Sequence, residues 1–234
     1  MLYLGTGVLA VTIAIITAFF GSQVTAQVPT WSSDQLFDYE WKKVFHYTSL
    51  FESLDGFTVA TKGEKSQASV DGSQLLLQTE GKIGSYASIA KQPLWQGVIT
   101  FSQKSNFRTT FVLTNPSNAE FYAGIGSYMD QGYGFKIAGG NLYGYTNDGV
   151  REKTVLLQSA KGDIYTLEAR YEPTKRVTFL VNSTEKGVLT ENLPSSGEIP
   201  NRDFMFMRLL TTDDASKVIQ SSYFEYLQAR NVLK

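Results

Sequence analysis

From about residue 43 onward the chain is a succession of short segments in which apolar and polar side chains alternate, or in which β-branched and aromatic residues cluster. They read "FTVA", "SQLLLQT", "YASIAK", "GVITFSQ", "RTTFVLT", "FYAGIGS", "GYGFKIA", "NLYGYT", "IYTLEARY", "RVTFLVN", "FMFMRLL" and "SSYFEYLQ". A period of two is the pattern of a half-buried strand, and recurrence every 8 to 12 or so residues is the spacing of an all-β domain. Turn signals separate the segments: Asp71-Gly72, Asn115-Pro116, Gly139-Gly140, Asn147-Asp148-Gly149, Pro173-Thr174 and Lys186-Gly187. No helical pattern alternates with the strands, so the expectation is an antiparallel sandwich or barrel rather than a parallel sheet.

The pattern changes near the N-terminus. Residues 1–33 carry no charged side chain, and Val8 to Phe20 is almost wholly apolar, which predicts a hydrophobic helix ahead of the β domain. It reads as a signal peptide ending at Val24-Thr25-Ala26, with cleavage before Gln27. It also reads as a membrane anchor over residues 2–24, since about 23 residues at 1.5 Å each cross roughly 30 Å of hydrocarbon. Both readings place the remainder outside the cytoplasm, secreted or at the cell surface. Residues 27–42 contain Pro29 and then "SSDQ", whose Ser-x-x-Gln spacing is that of a helix capping box, and are expected to be a linker with a short helix. The organisation expected is therefore 1–26 signal peptide or anchor, 27–42 linker, and 43–234 a single β domain.

Composition narrows the chemistry. An aromatic share of 13% and 20 glycines fit a strand-rich domain with many turns. Lys plus Arg (21) nearly balances Asp plus Glu (22), which gives no broad positive field for a phosphate backbone, so nucleic acid is not an expected partner. There is no cysteine, which removes thiol nucleophiles and thiolate metal sites, and a domain of about 200 residues buries enough surface to fold without disulfides. The one histidine, His46, alternates with Phe45 and Tyr47 in "KKVFHYTSLF" as a strand residue would; no nucleophile elbow accompanies it.

One stretch is specific enough to compare with a family. In "GDIYTLEARYEPTKRVTFLVNSTEKGVL", Tyr165, Leu167, Ala169 and Tyr171 share one strand face, a turn follows at Pro173, and Val177, Phe179 and Val181 share a face of the return strand. This resembles the central hairpin of concanavalin A-like (laminin G-type) jelly rolls, with Asn182-Ser183-Thr184 standing where Asp/Asn-Gly is usual. "FESLDGFTV", "GSQLLLQT" and "SYFEYLQ" extend the resemblance more loosely. It implies a two-sheet jelly-roll sandwich, a superfold that hosts lectins, glycan hydrolases, adhesion domains and structural modules alike.

Candidate chemistry centres on "GSYMDQGYGFKIAGGNLYGYTNDG", residues 126–149. Gly132-Tyr133-Gly134 runs directly into the strand-like Phe135-Lys136-Ile137, so the helix that a dinucleotide fingerprint requires is missing. Tyr122, Tyr128, Tyr133, Tyr143 and Tyr145, with Asn141, offer flat apolar rings with polar tips of the kind that line the concave face in sugar-binding relatives. Alternation sets Asn141, Tyr143 and Tyr145 on one face, as either a binding groove or a buried face would show. Asp130 and Asp148 suit turns, and would be the ligands if calcium, a cation met in relatives, were bound. Glu168 and Glu172 share a strand face but stand roughly 13 Å apart, too far for a glycosidase pair; they are expected to form a solvated stripe with Arg170 and Arg176. Asn182-Ser183-Thr184 is a glycosylation sequon at a predicted surface turn.

These readings converge on a non-catalytic extracellular jelly roll that binds glycan or cell-envelope polymer. Two alternatives remain open. One is a structural subunit of an envelope, filament or virion that self-assembles, or contacts a membrane through residues 2–24; the other is a glycoside hydrolase whose acid pair comes from different strands.

Overall fold

The computed structural model describes residues 44–91, 100–114, 116–126, 130–195 and 205–229. The expected N-terminal helix, the signal or anchor segment and the 27–42 linker lie outside them. The described residues form fifteen strands and no helix: β1 Val44–Ser49, β2 Phe57–Lys62, β3 Gln67–Asp71, β4 Gln74–Gln78, β5 Tyr86–Lys91, β6 Ser105–Thr114, β7 Ala119–Gly126, β8 Gln131–Ala138, β9 Asn141–Asp148, β10 Glu152–Ser159, β11 Ile164–Glu172, β12 Arg176–Val181, β13 Thr184–Leu189, β14 Met205–Thr211 and β15 Val218–Ala229. All pairings are antiparallel. One sheet runs β13-β12-β11-β6-β15-β4-β3, with β1 also on β15; the other runs β10-β9-β8-β7-β14-β5-β2. Of the sandwich and the barrel that the alternation leaves open, the described residues form the two-sheet antiparallel sandwich.

Alternation explains what lies between the sheets. Phe107, Phe111 and Leu113 of β6, Phe121, Ala123 and Ile125 of β7, Tyr133, Phe135 and Ile137 of β8, and Val177, Phe179 and Val181 of β12 are spaced two or four apart and all buried in one cluster. Rings from the two layers meet at separations where edge and offset contacts are favourable: Phe111 with Phe121 at 4.8 Å, Phe135 with Phe179 at 5.6 Å, Tyr133 stacked on Tyr171 at 5.2 Å. Among the described residues the aromatic side chains are therefore mainly core. Buried hydroxyls find partners: the Tyr171 hydroxyl donates to the Phe101 carbonyl at 2.7 Å, and Ser105 and Tyr133 share a hydrogen bond of 2.8 Å.

Tight hairpins set the register. Gly139-Gly140 joins β8 to β9 with φ of 56° and 73°, and Asn182-Ser183 joins β12 to β13 with φ of 49° and 64°, the left-handed pair of a two-residue type I′ loop. Lys186-Gly187, read from sequence as a turn, lies instead inside β13 beside a register shift at Phe179/Leu180. The chain reverses four residues earlier because Asn182 both tolerates positive φ and anchors the loop, accepting from the Thr166 amide through Oδ1 at 3.0 Å.

Candidate functional site

The outward face of the β10-β9-β8-β7-β14-β5-β2 sheet collects most of the tyrosines singled out above. Register aligns one rung across five strands: Tyr143 of β9, Lys136 of β8, Tyr122 of β7, Arg208 of β14 and Ser88 of β5. All five are partly exposed. The Lys136 ammonium sits 4.9 Å from the Tyr122 ring centroid and the Arg208 guanidinium 4.3 Å from that of Tyr86, distances at which a cation is drawn to a ring face. Burial pulls the Lys136 ammonium down, but its bonds to Glu152 and Tyr122 outweigh that and hold it above the usual lysine range.

The next rung is built differently. Here Tyr145, Gly134, Gly124 and Phe206 align. A side chain on Gly124 would stand 2.6 Å from the Tyr145 hydroxyl, so that ring lies across the glycine trough and fills it. Tyr122 closes one side, edge-on at 5.7 Å. Glu152 of β10 and Lys136 of β8 stand on diagonally opposite sides of Tyr145 and join across it at 2.8 Å. Tyr145 is fully buried as a result, its hydroxyl has no hydrogen-bond partner, and burial together with nearby Glu152 pushes its phenol well up. A buried polar atom without a partner costs free energy, so Tyr145→Phe is expected to leave stability unchanged or to raise it by up to about 1 kcal/mol, measured by urea unfolding; a clear loss would mean the hydroxyl is bonded in solution.

The six candidate residues thus separate. Tyr122, Tyr143 and Asn141 share the accessible outer face; Tyr145 is on that face but sealed into the trough. Tyr133 points the other way, into the core, because it alternates in phase with Phe135 and Ile137, and it is withdrawn from the site. Tyr128 lies outside the described residues. Arg208 and Tyr86 escape a reading of one segment, since β14 and β5 reach this face only through sheet order, and Lys136, inside that segment, escapes a reading of its tyrosines alone.

Asp148 accepts from the amides of Val150 and Arg151, both at 2.8 Å, and these bonds hold its carboxyl below the usual range. It is thereby committed to the β9–β10 turn, with Asp130 close to Gly149 on the same side. Among the described residues no three His, Asp or Glu side chains come together as a metal cluster. Asn182 is exposed on its turn.

On the outer face of the opposite sheet, register aligns Glu168, Arg108 and Glu225 across β11, β6 and β15. Glu168 receives bonds from Asn106 (2.9 Å), Arg108 (3.0 Å) and Arg170 (2.6 Å) and is only 6% exposed. The expected solvated stripe holds at Glu172, paired with Arg176 at 2.8 Å, but Glu168 is buried. Burial pushes its carboxyl up, yet the bonds from Arg170 and Asn106 and the Arg108 charge win and keep it below the usual range, the opposite of what a general acid requires. His46 touches both Glu225 and Thr48 through the same ring nitrogen, Nε2, each at 2.8 Å, whereas a triad uses one nitrogen for the carboxylate and the other for the nucleophile.

No protein-family model matches the chain, and no curated protein matches it. Solved structures do. A protein of unknown function from Shewanella oneidensis superposes with a TM-score of 0.58 at 12% identity, covering 82% of this chain and 89% of that one. The carbohydrate recognition domain of Emp47p gives 0.56 at 11%, covering 82% and 99%. A sialidase gives 0.57 at 11% over 77% of this chain, which spans only 18% of the sialidase's length. At these identities the likeness is one of fold alone: an antiparallel two-sheet jelly-roll sandwich.

Proposed function

We propose that the chain is a non-catalytic binding module that holds glycan or cell-envelope polymer on the outer face of the β10-to-β2 sheet, outside the cytoplasm. The observation that carries this reading is the accessible rung of Tyr143, Lys136, Tyr122 and Arg208, in which rings suited to the apolar faces of sugars alternate with donors suited to their oxygens. The likeness to a carbohydrate recognition domain supports it at the level of fold.

Tyr122→Ala and Tyr143→Ala are each expected to weaken binding on a glycan array and in titration calorimetry by about tenfold or more, with the thermal midpoint little changed for Tyr143→Ala. Absence of saturable binding to any saccharide by the folded protein would defeat the reading.

A further inference from the structure

The β10-to-β2 sheet ends in two edge strands that differ in kind. β10 carries Glu152 and Lys153 and a register shift at Leu156/Gln158, the charges and the bulge that keep an edge from pairing. β2 has no such protection. It pairs with β5 without interruption on one side and, among the described residues, with no strand on the other; Thr58 to Lys62 are all exposed, and the only charge, Lys62, stands at the strand's end. Three exposed apolar side chains follow this edge. Leu50 is at its start, next to Phe51, whose ring packs on Phe57. Val59 is in the middle, and Ile83 is at the far end, next to Gly84, where a Cβ would stand 4.0 Å from the Lys62 ammonium nitrogen. An open row of amides and carbonyls with apolar flanks is a template for another strand.

We propose that β2 pairs antiparallel with β2 of a second copy of this chain, joining the two sheets into one. Opposed residues of an antiparallel pair share a face, so a two-fold axis normal to the sheet passes through a residue position, and here it passes at Val59. Val59 then meets its own copy, and Phe57 meets Thr61 of the second copy, an aromatic ring on a β-branched side chain. Each Lys62 stands opposite Gly56 of the second copy, beside the exposed Asp55 of that turn, and each Ile83 turns toward the other copy's Leu50 end. An axis at Ala60 would set Lys62 against Thr58 and lose the charge match. A second copy is the occupant this edge selects because its two ends complement each other, Lys62 with Ile83 at one and Asp55 with Leu50 at the other. The axis keeps both outer faces on the same side, so the pair presents two Tyr143-to-Arg208 rungs on one surface; the pairing itself does not rest on the glycan reading.

The chain lacks cysteine, so single cysteines report the register. In the full protein, Val59→Cys is expected to cross-link to its own copy under oxidised glutathione, since directly opposed Cβ atoms lie about 4.5–5.5 Å apart, close to what a disulfide spans. Thr61→Cys is expected not to, because its two copies would be displaced by about 13 Å along the strands. Analytical ultracentrifugation is expected to show a monomer–dimer equilibrium that Val59→Lys, which sets two like charges face to face, weakens by at least about tenfold. Lys62→Asp and Asp55→Lys should each weaken it by about threefold and restore it when combined; circular dichroism confirms that every variant is folded. A monomer at every concentration, which would leave the edge to a different strand, overturns the proposal. So does association unchanged by Val59→Lys, or cross-linking as efficient at Thr61→Cys as at Val59→Cys.

Discussion

Glu168→Ala is expected to destabilise the protein by about 3–5 kcal/mol in urea unfolding, the usual cost of stranding a buried charge. The carboxylate neutralises Arg108, itself 6% exposed, and also accepts from Asn106 and Arg170. Glu225 faces Arg108 from the other side, so a loss below about 1 kcal/mol would show that this second carboxylate takes over. Replacing both partners, as in Arg108→Met with Glu168→Leu, is expected to recover only part of the loss, because it removes the stranded Arg108 charge but leaves buried Glu225 with His46 in place of Arg108. The pH dependence has a definite sign. Because the folded protein holds the Glu168 carboxyl below its ordinary value of 4.5, its contribution is present above that pH and is lost as pH falls through the lower folded value. In Glu168→Gln the fall in stability below pH 4.5 should be shallower.

Gly144→Ala is expected to cost about 1–3 kcal/mol although it adds a single methyl group. Gly144 is the one inward position of β9 where the opposite layer leaves no room: a Cβ there would stand 2.5 to 2.6 Å from three atoms of the Phe179 ring. Overpacking predicts a specific rescue. Phe179→Leu alone should destabilise by emptying space beneath Phe135, whereas combined with Gly144→Ala it should cost less than the sum of the two changes, as measured in a double-mutant cycle. Strict additivity would show that the glycine is needed for another reason.

Much of the sandwich is written in period-two alternation. "GYGFKIA" and "RVTFLVN" each declare a buried face outright, and both form strands with the expected side inward. Tyr133 was open to the same inspection: it shares its phase with Phe135 and Ile137, which marks it as core. Tyr143 and Tyr145 were correctly placed on one face, yet nothing local separates the accessible ring from the sealed one. That difference comes from Gly124 and Gly134, which reach Tyr145 only through pairing of β7, β8 and β9. Arg208 joins the face from 65 residues beyond Tyr143 by lying beside β7. The burial of Glu168 had the same origin, since its strand shows an ordinary charged alternation and the three donors that hold it include two from β6.

The trough beneath Tyr145 also has a bearing on descent. Gly124 and Gly134 face each other where β7 and β8 run so close that a Cβ on Gly134 would run into the Ala123 carbonyl oxygen and one on Gly124 would stand 2.5 Å from that of Tyr133, so backbone forbids a methyl group at either and a smaller ring at 145 lifts neither ban. Diverging lineages of this chain should therefore keep both glycines whatever residue stands at 145, and an aligned set in which alanine freely replaces either one would mean that the two strands stand farther apart there.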